Sequence, residues 1–425
     1  MTVVLIAAVV VLALLGAPLF AVILAAALTG FWLADIPVVV IAVELYRIAD
    51  TPLLLALPLF AYAGYLLAEG RSSQRLVAVT SALIGWMPAG LALVSFVACA
   101  LFTAFTGASG VTIVALGALL YPALKQEGYE ERFSLGLVTS SGSLGLLLVP
   151  SVPLIIYGVV AQQLETGTPF TLRELFLAGL MPAGLMLFAL GAYGLWHVRG
   201  RGMTLTPFSG AALARALWAA RWELPLPLFV LGGIYGGVFA VSEAAAVTAL
   251  YVTVSQVLLY RDVSWRRLPG VMVDAMVMVG GILLILAAAL AFTNVLVDAE
   301  IPQRLFALVS VWIESKLAFL LVLNITLLLL GAILDIFAAL VIMVPLLLPV
   351  AVQYGIHPVH FGIVFLANMQ IGYFTPPIGM NLFIASYRFR RPVTELYRAS
   401  LPFMVVLLIA LLVITYVPWL SLALL

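Results

Sequence analysis

Gly142-Ser-Leu-Gly-Leu-Leu-Leu-Val-Pro150-Ser-Val-Pro153 is an apolar stretch broken by glycine and proline. A second stretch of this kind, Met369-Gln-Ile-Gly372-Tyr-Phe-Thr-Pro-Pro377-Ile-Gly379, follows at an offset of 227 (377 − 150 = 227). The likeness extends upstream. Pro122-Ala-Leu-Lys-Gln126-Glu-Gly128 has its counterpart in Pro349-Val-Ala-Val-Gln353-Tyr-Gly355, and Gln74-Arg75-Leu76 is echoed by Gln303-Arg304-Leu305. Glycine and proline unwind a helix. In a bilayer, unwound backbone persists only where protein or a water-filled cavity satisfies its N–H and C=O groups.

Composition places the chain in a membrane. Of 425 residues, 65% are hydrophobic and 9% charged, with mean hydropathy +1.25; a soluble domain carries about 25% charged residues. A span needs about 20 apolar residues, which leaves room for about 10 to 12 helices plus partial ones. The net charge of +1 excludes a nucleic-acid partner. Cys99 is alone, so there is no disulfide framework. The N-terminus is read as a first span, without a basic region or cleavage site of a signal peptide. No Walker motif, nucleophile elbow or paired-carboxylate site is present, so neither ATP-driven transport nor hydrolysis has support. His197, His357 and His360 fall at segment ends and suggest no metal site. Duplicated broken helices in such a chain point to a secondary transporter with its site at mid-bilayer depth.

Arginine sets the orientation. Arg199, Arg201, Arg215 and Arg221 share one loop, Arg261, Arg266 and Arg267 a second, and Arg388, Arg390, Arg391 and Arg398 a third. All three are expected in the cytoplasm, with 165–173 and 298–304 outside. The two broken helices then run in opposite directions. The segment 69–75 gives little bias, and whether 76–105 crosses once, crosses twice or lies along the surface stays open. The chain divides into first-repeat scaffold helices at 1–105 and a first-repeat transport half at 106–198. The latter holds a re-entrant hairpin at 106–124 and a broken helix at 133–160. A cytoplasmic loop at 199–223 precedes second-repeat scaffold helices at 224–330. A second transport half at 331–400 holds a hairpin at 331–352 and a broken helix at 361–387. A last helix covers 401–425. The expected fold is an all-α polytopic membrane protein, an inverted repeat with two re-entrant hairpins and two broken helices.

Thr106-Gly-Ala-Ser-Gly110 and Thr139-Ser-Ser-Gly-Ser143 bring hydroxyls and close backbone approach into apolar sequence. Carbonyls and hydroxyls suit a hard cation such as sodium; small-residue helix packing is the competing reading. In the second half, Thr375-Pro-Pro-Ile-Gly-Met-Asn381 frees carbonyls by its prolines, and helix N-termini at such breaks suit a carboxylate. Asp335, alone among Ile333-Leu334 and Ile336-Phe337, could ligate a cation, carry a proton or cap the hairpin through backbone N–H groups. Capping is favoured there, and also for Glu243 behind Ser242.

Several ordered segments carry a family resemblance. They are Pro58-Leu-Phe-Ala-Tyr-Ala-Gly64, Gly107-Ala-Ser-Gly110, 145–158, Ser242-Glu-Ala-Ala-Ala-Val247, 331–350 with Leu334-Asp335, His360-Phe-Gly362 and Thr375-Pro-Pro-Ile-Gly379. Over nearly its whole length the chain resembles the large permease subunit of tripartite ATP-independent periplasmic (TRAP) transporters, the DctM-like proteins. The resemblance implies an elevator-type fold like that of the ion-transporter superfamily. It also implies sodium-coupled import of an organic acid anion: a C4-dicarboxylate, sialic acid or another carboxylate. It implies Na+ as the coupling ion, with no other cofactor and no catalysis. The implied partners are a small four-helix membrane subunit (DctQ-like) and a periplasmic substrate-binding protein (DctP-like), both separate chains. The implied location is a bacterial or archaeal cytoplasmic (inner) membrane.

By this resemblance a first sodium site involves Thr106, Gly107 and Ser109 with Ser140, Ser141, Ser143 and Gly145. A second involves Gly331, Asp335, Gly372, Thr375, Pro376, Gly379 and Asn381. Substrate would meet Ser109, Thr112, Asp335 and Asn381 between the hairpin tips. The chain departs from the family pattern at Ala108 and Thr112, and at Val149-Pro150 where Pro-Pro is usual. A stand-alone sodium:carboxylate symporter and a non-transporting assembly subunit are the alternatives.

Overall fold

The computed structural model describes residues 2–39, 41–43, 46, 52–164, 167–199 and 207–425. The position of Arg201 lies outside these. The described residues are helical throughout, joined by turns. In chain order the helices are α1 (Thr2–Leu14), α2 (Leu19–Leu33), α3 (Ala56–Glu69), α4 (Ser72–Ile84), α5 (Gly90–Thr106), α6 (Ser109–Gln126) and α7 (Glu131–Ser141). Then come α8 (Val152–Gln162), α9 (Leu172–Val198), α10 (Gly210–Ala219), α11 (Pro225–Tyr235), α12 (Val241–Thr253) and α13 (Leu268–Asp298). The last are α14 (Ile301–Ser310), α15 (Lys316–Ile333), α16 (Ile336–Gln353), α17 (Pro358–Gly372), α18 (Met380–Phe389), α19 (Val393–Tyr416) and α20 (Trp419–Leu422). Glu243 accepts the Ala240 N–H at 2.9 Å and so caps α12.

Among the described residues, 6 helices are long and apolar enough to cross a membrane, or 7 if the pair bent by 42° between α7 and α8 counts as one. Composition alone left room for more. The difference is physical: much of the apolar sequence folds as shorter helices, among them α2, α3, α5 and α11.

The hairpin boundaries need correction. Segments 106–124 and 331–352 are not whole hairpins. Each is essentially one helix, α6 or α16, and pairs with the helix before it, α5 or α15. The turns lie at Gly107-Ala108 and Leu334-Asp335. Both first arms are unbroken apolar helices, which is why they read as scaffold spans.

The two halves correspond in register: α6 and α16 start and end at one shift of 227 (336 − 109 = 353 − 126 = 227). The same shift relates the ends of α5 and α15 and the starts of α7 and α17 (333 − 106 = 358 − 131 = 227). Gly128 and Gly355, at this shift too (355 − 128 = 227), both take positive φ (+87° and +71°) just past the ends of α6 and α16. Glycine occupies that left-handed position without a Cβ penalty and stops each helix alike.

The units are inverted. Glu131, where α7 begins, pairs with Arg391, just past the end of α18. The end of α16 lies instead with the opposite loops: Lys316 Nζ donates to Gly355 O at 2.7 Å and Tyr354 OH to Ile313 O at 2.6 Å. One face is rich in arginine. There Arg75 pairs with Glu223 at 2.7 Å and with Asp262, and Arg267 with Glu69 at 2.8 Å. These contacts fix 69–75 to the same face as Glu223 and the loop at 260–267. Within 76–105, α4 packs along α10 and α5 pairs with α6.

Candidate functional site

Both breaks form where proline removes a helical N–H. Helix α7 ends at Ser141, a short 3-10 turn covers Leu144–Leu147, and α8 starts with Pro153 in its first turn. Helix α17 ends at Gly372, and Pro376-Pro377 separate it from α18. The Val149–Pro150 and Pro376–Pro377 peptide bonds are cis. The hairpin tips pack against these breaks. A Cβ on Gly145 would overlap Ala100 O, and one on Gly372 would lie 2.6 Å from Gly331 Cα and C. Such approach needs glycine. The breaks also meet each other: Ser143 Oγ donates to Gln370 O at 2.9 Å, and these positions are 227 residues apart.

A first group of oxygens gathers between α5, α6, α7 and α18. Ser109 Oγ donates to Asn381 Oδ1 at 2.8 Å, and Asn381 Nδ2 to Thr139 O at 3.5 Å. The Thr112 and Thr103 hydroxyls lie 2.6 Å apart, and Thr103 donates to Gly142 O at 2.8 Å. Thr106 Oγ1 lies 3.5 Å from the Ala108 backbone, just past Gly107. Every member is uncharged and buried or half-buried.

The second group is built on backbone. Asp335 Oδ2 accepts the Phe337 N–H at 3.0 Å, and Oδ1 accepts Tyr373 OH at 2.9 Å. The Ile336 N–H donates to Tyr373 OH at 3.1 Å. Oδ2 of Asp335 therefore caps α16, and Oδ1, with the Ile336 N–H, ties the hairpin tip to Tyr373 beside the broken helix. Gly379 N–H donates to Ala332 O and Asn381 N–H to Tyr373 O, each at 2.9 Å. Pro376 lies exposed on the connecting loop.

The structure thus brings Ser109, Thr112 and Asn381 together, and gathers Gly331, Asp335, Gly372 and Gly379. It turns two hydroxyls away. Ser140 Oγ donates to Gly136 O and Thr375 Oγ1 to Ile371 O, both at 2.8 Å on their own helices. The Asn381 side chain joins the first group, while its backbone N–H closes the second. Sequence reading missed Thr103 and Tyr373. Thr103 lies one turn before Thr106 on the same face, and Tyr373 directly follows Gly372; both were legible once the hairpin tips were known.

Ser141 Oγ and Asn368 Oδ1, at repeat-related positions (368 − 141 = 227), are among several buried side-chain atoms without a hydrogen-bond partner. Buried polar atoms are ordinarily satisfied. Neutral hydroxyl, amide and carbonyl oxygens around helix breaks fit a hard monovalent cation. Among the described residues no group of three or more His, Cys, Asp or Glu could hold a metal ion.

The sequence profile of the tripartite ATP-independent periplasmic transporter DctM component matches residues 6–420. The chain belongs to that family. It is 36% identical over 409 residues to the C4-dicarboxylate TRAP transporter large permease protein DctM of Rhodobacter capsulatus, covering 93% of this chain and 91% of the relative. It is 33% identical over 397 residues to the isethionate TRAP transporter permease protein DctMQ of Oleidesulfovibrio alaskensis. That match covers 93% of this chain, which spans 61% of the longer relative. Among solved structures, the YdaH transporter of Alcanivorax borkumensis superposes with a TM-score of 0.62 at 16% identity, covering 89% of this chain and 87% of that one. This last likeness concerns the fold alone. Membership makes the chain a multi-pass large permease, and the hairpins and breaks described above are its two repeated units.

Proposed function

We propose that this chain is the large membrane subunit of a sodium-coupled, binding-protein-dependent transporter that imports an organic acid anion by an elevator motion. One observation carries the reading: two inverted hairpin-and-broken-helix units, related by a constant shift, meet at their breaks through Ser143 and Gln370. The uncharged oxygens of the first group support sodium, since they offer ligands without adding charge. The N-termini of α8 and α18 support an anion, because unpaired N–H groups and the helix dipole favour negative charge there. Both relatives carry names of organic anions, a C4-dicarboxylate and isethionate. The tripartite family name and the DctMQ relative support a small membrane subunit and a binding protein as partners. The arginine-rich face supports a cytoplasmic side in an inner membrane.

The test is uptake by proteoliposomes that hold this chain with candidate small subunit and binding protein, each omitted in turn. Loss of uptake on either omission supports the assignment. Equal uptake by this chain alone would replace it with a stand-alone symporter.

A further inference from the structure

Equivalent faces of the two repeats are covered unequally. On α5, Val94, Ala98, Phe102 and Thr106 form one face and are no more than 1% exposed. Their counterparts in the second repeat are Leu321, Ile325, Leu329 and Ile333 of α15, a continuous apolar stripe between 47 and 59% exposed. The α5 face is covered by α3 and α4. Contact is close enough that a Cβ on Gly64 would lie 2.7 Å from Thr106 Cα. A similar imbalance separates the second parts of the broken helices. Ile156 and Val160 of α8 are buried, whereas Phe383 and Tyr387 of α18 are exposed.

The helices that cover α5 have their own repeat mates. The ends of α3 and α13 and the starts of α4 and α14 are related by one shift (298 − 69 = 301 − 72 = 229). Helix α13 now packs against the second arm α16 instead of against α15. We propose that the α15 stripe is the docking face for α13 in a second conformation, in which α13 takes the place on α15 that α3 holds here on α5. In that conformation Thr293, the counterpart of Gly64, comes against Ile333, the counterpart of Thr106. The structure then represents the state in which the α18 half lies open toward the arginine-rich side. This inference rests on the elevator reading and goes beyond it by naming the surface exchanged.

The test uses Cys99→Ala chain with Thr293→Cys and Ile333→Cys, in native membranes with its partners and a short bifunctional thiol reagent. A second pair, Leu296→Cys with Leu329→Cys, mirrors Leu67 and Phe102, which line one cavity between α3 and α5. Ile333 and Leu329 are exposed, so cysteine there leaves the core intact. Crosslinking in either pair, absent from the single-cysteine controls, establishes the exchanged contact. It is expected severalfold faster in one of two media, sodium or choline. Equal rates would still establish the contact while counting against sodium coupling. No crosslink in either pair, with thiols titratable and melting unchanged, overturns the inference and leaves coupling untouched; the stripe then faces lipid or the small subunit permanently.

Discussion

Asn381 is the residue at which the two halves share a site. Its side chain reaches Ser109 and the Thr139 carbonyl in the first half, while its N–H serves Tyr373 in the second. A neutral hydrogen bond contributes about 1 kcal/mol, roughly a fivefold change in an equilibrium. Ser109→Ala and Asn381→Ala are each expected to raise the sodium concentration for half-maximal uptake about fivefold. The double variant should fall no further than the worse single one, because the pair acts as a unit. Additive losses would place the two residues in separate sites. Glycine gives the second residue-scale expectation. Gly372→Ala forces a Cβ into the Gly331 backbone and should destabilise by about 1–3 kcal/mol, read as a lower melting temperature in detergent. Gly184, with no atom within 4 Å of its added Cβ, serves as the neutral control. Polar residue types told where to look, but not which hydroxyls face the site. Ser140 and Thr375 satisfy themselves on their own helices, a choice of rotamer that composition does not encode.

At the scale of elements, the hairpin tip at Leu334-Asp335 is held by Asp335 and Tyr373 acting together. Asp335→Ala removes an N-cap and should lose about 1–2 kcal/mol of stability. Asp335→Asn keeps an oxygen for the Phe337 N–H and should lose less. If Asp335 works as a cap, thermal melting shifts across this pair while sodium half-saturation at permissive temperature changes little. A large sodium effect from Asp335→Asn with unaltered melting would make it a ligand instead. The ends of the second arms were legible in sequence, because Gly128 and Gly355 follow them; that each is a single arm and not a whole hairpin was not. The first arms were not. They are mostly apolar, and helical periodicity carries no mark of where a span turns back. Helix α4 stayed undecided in sequence, where 76–105 read as crossing or surface-lying; the contacts of Ser72 and Arg75 with Glu223 and of Arg75 with Asp262 tie it to the loops.

For the whole molecule, inversion makes one sequence unit serve both sides of the membrane. The duplicated breaks and the arginine bias made that plan readable before any coordinates. The constant shift between hairpin arms turns it into residue-by-residue equivalence. Sidedness follows. Cysteines placed at Arg215 and Arg266 should react with an impermeant maleimide only from the cytoplasmic side, and one placed at Arg304 only from the opposite side. Labelling of all three from one side would undo the inversion. The proposed function makes a sodium gradient the driving force. Solute uptake by the reconstituted tripartite complex, with external sodium replaced by choline at constant ionic strength, probes this dependence without intermediaries. Uptake should vanish in choline and return in proportion to sodium restored; undiminished uptake in choline would contradict the account.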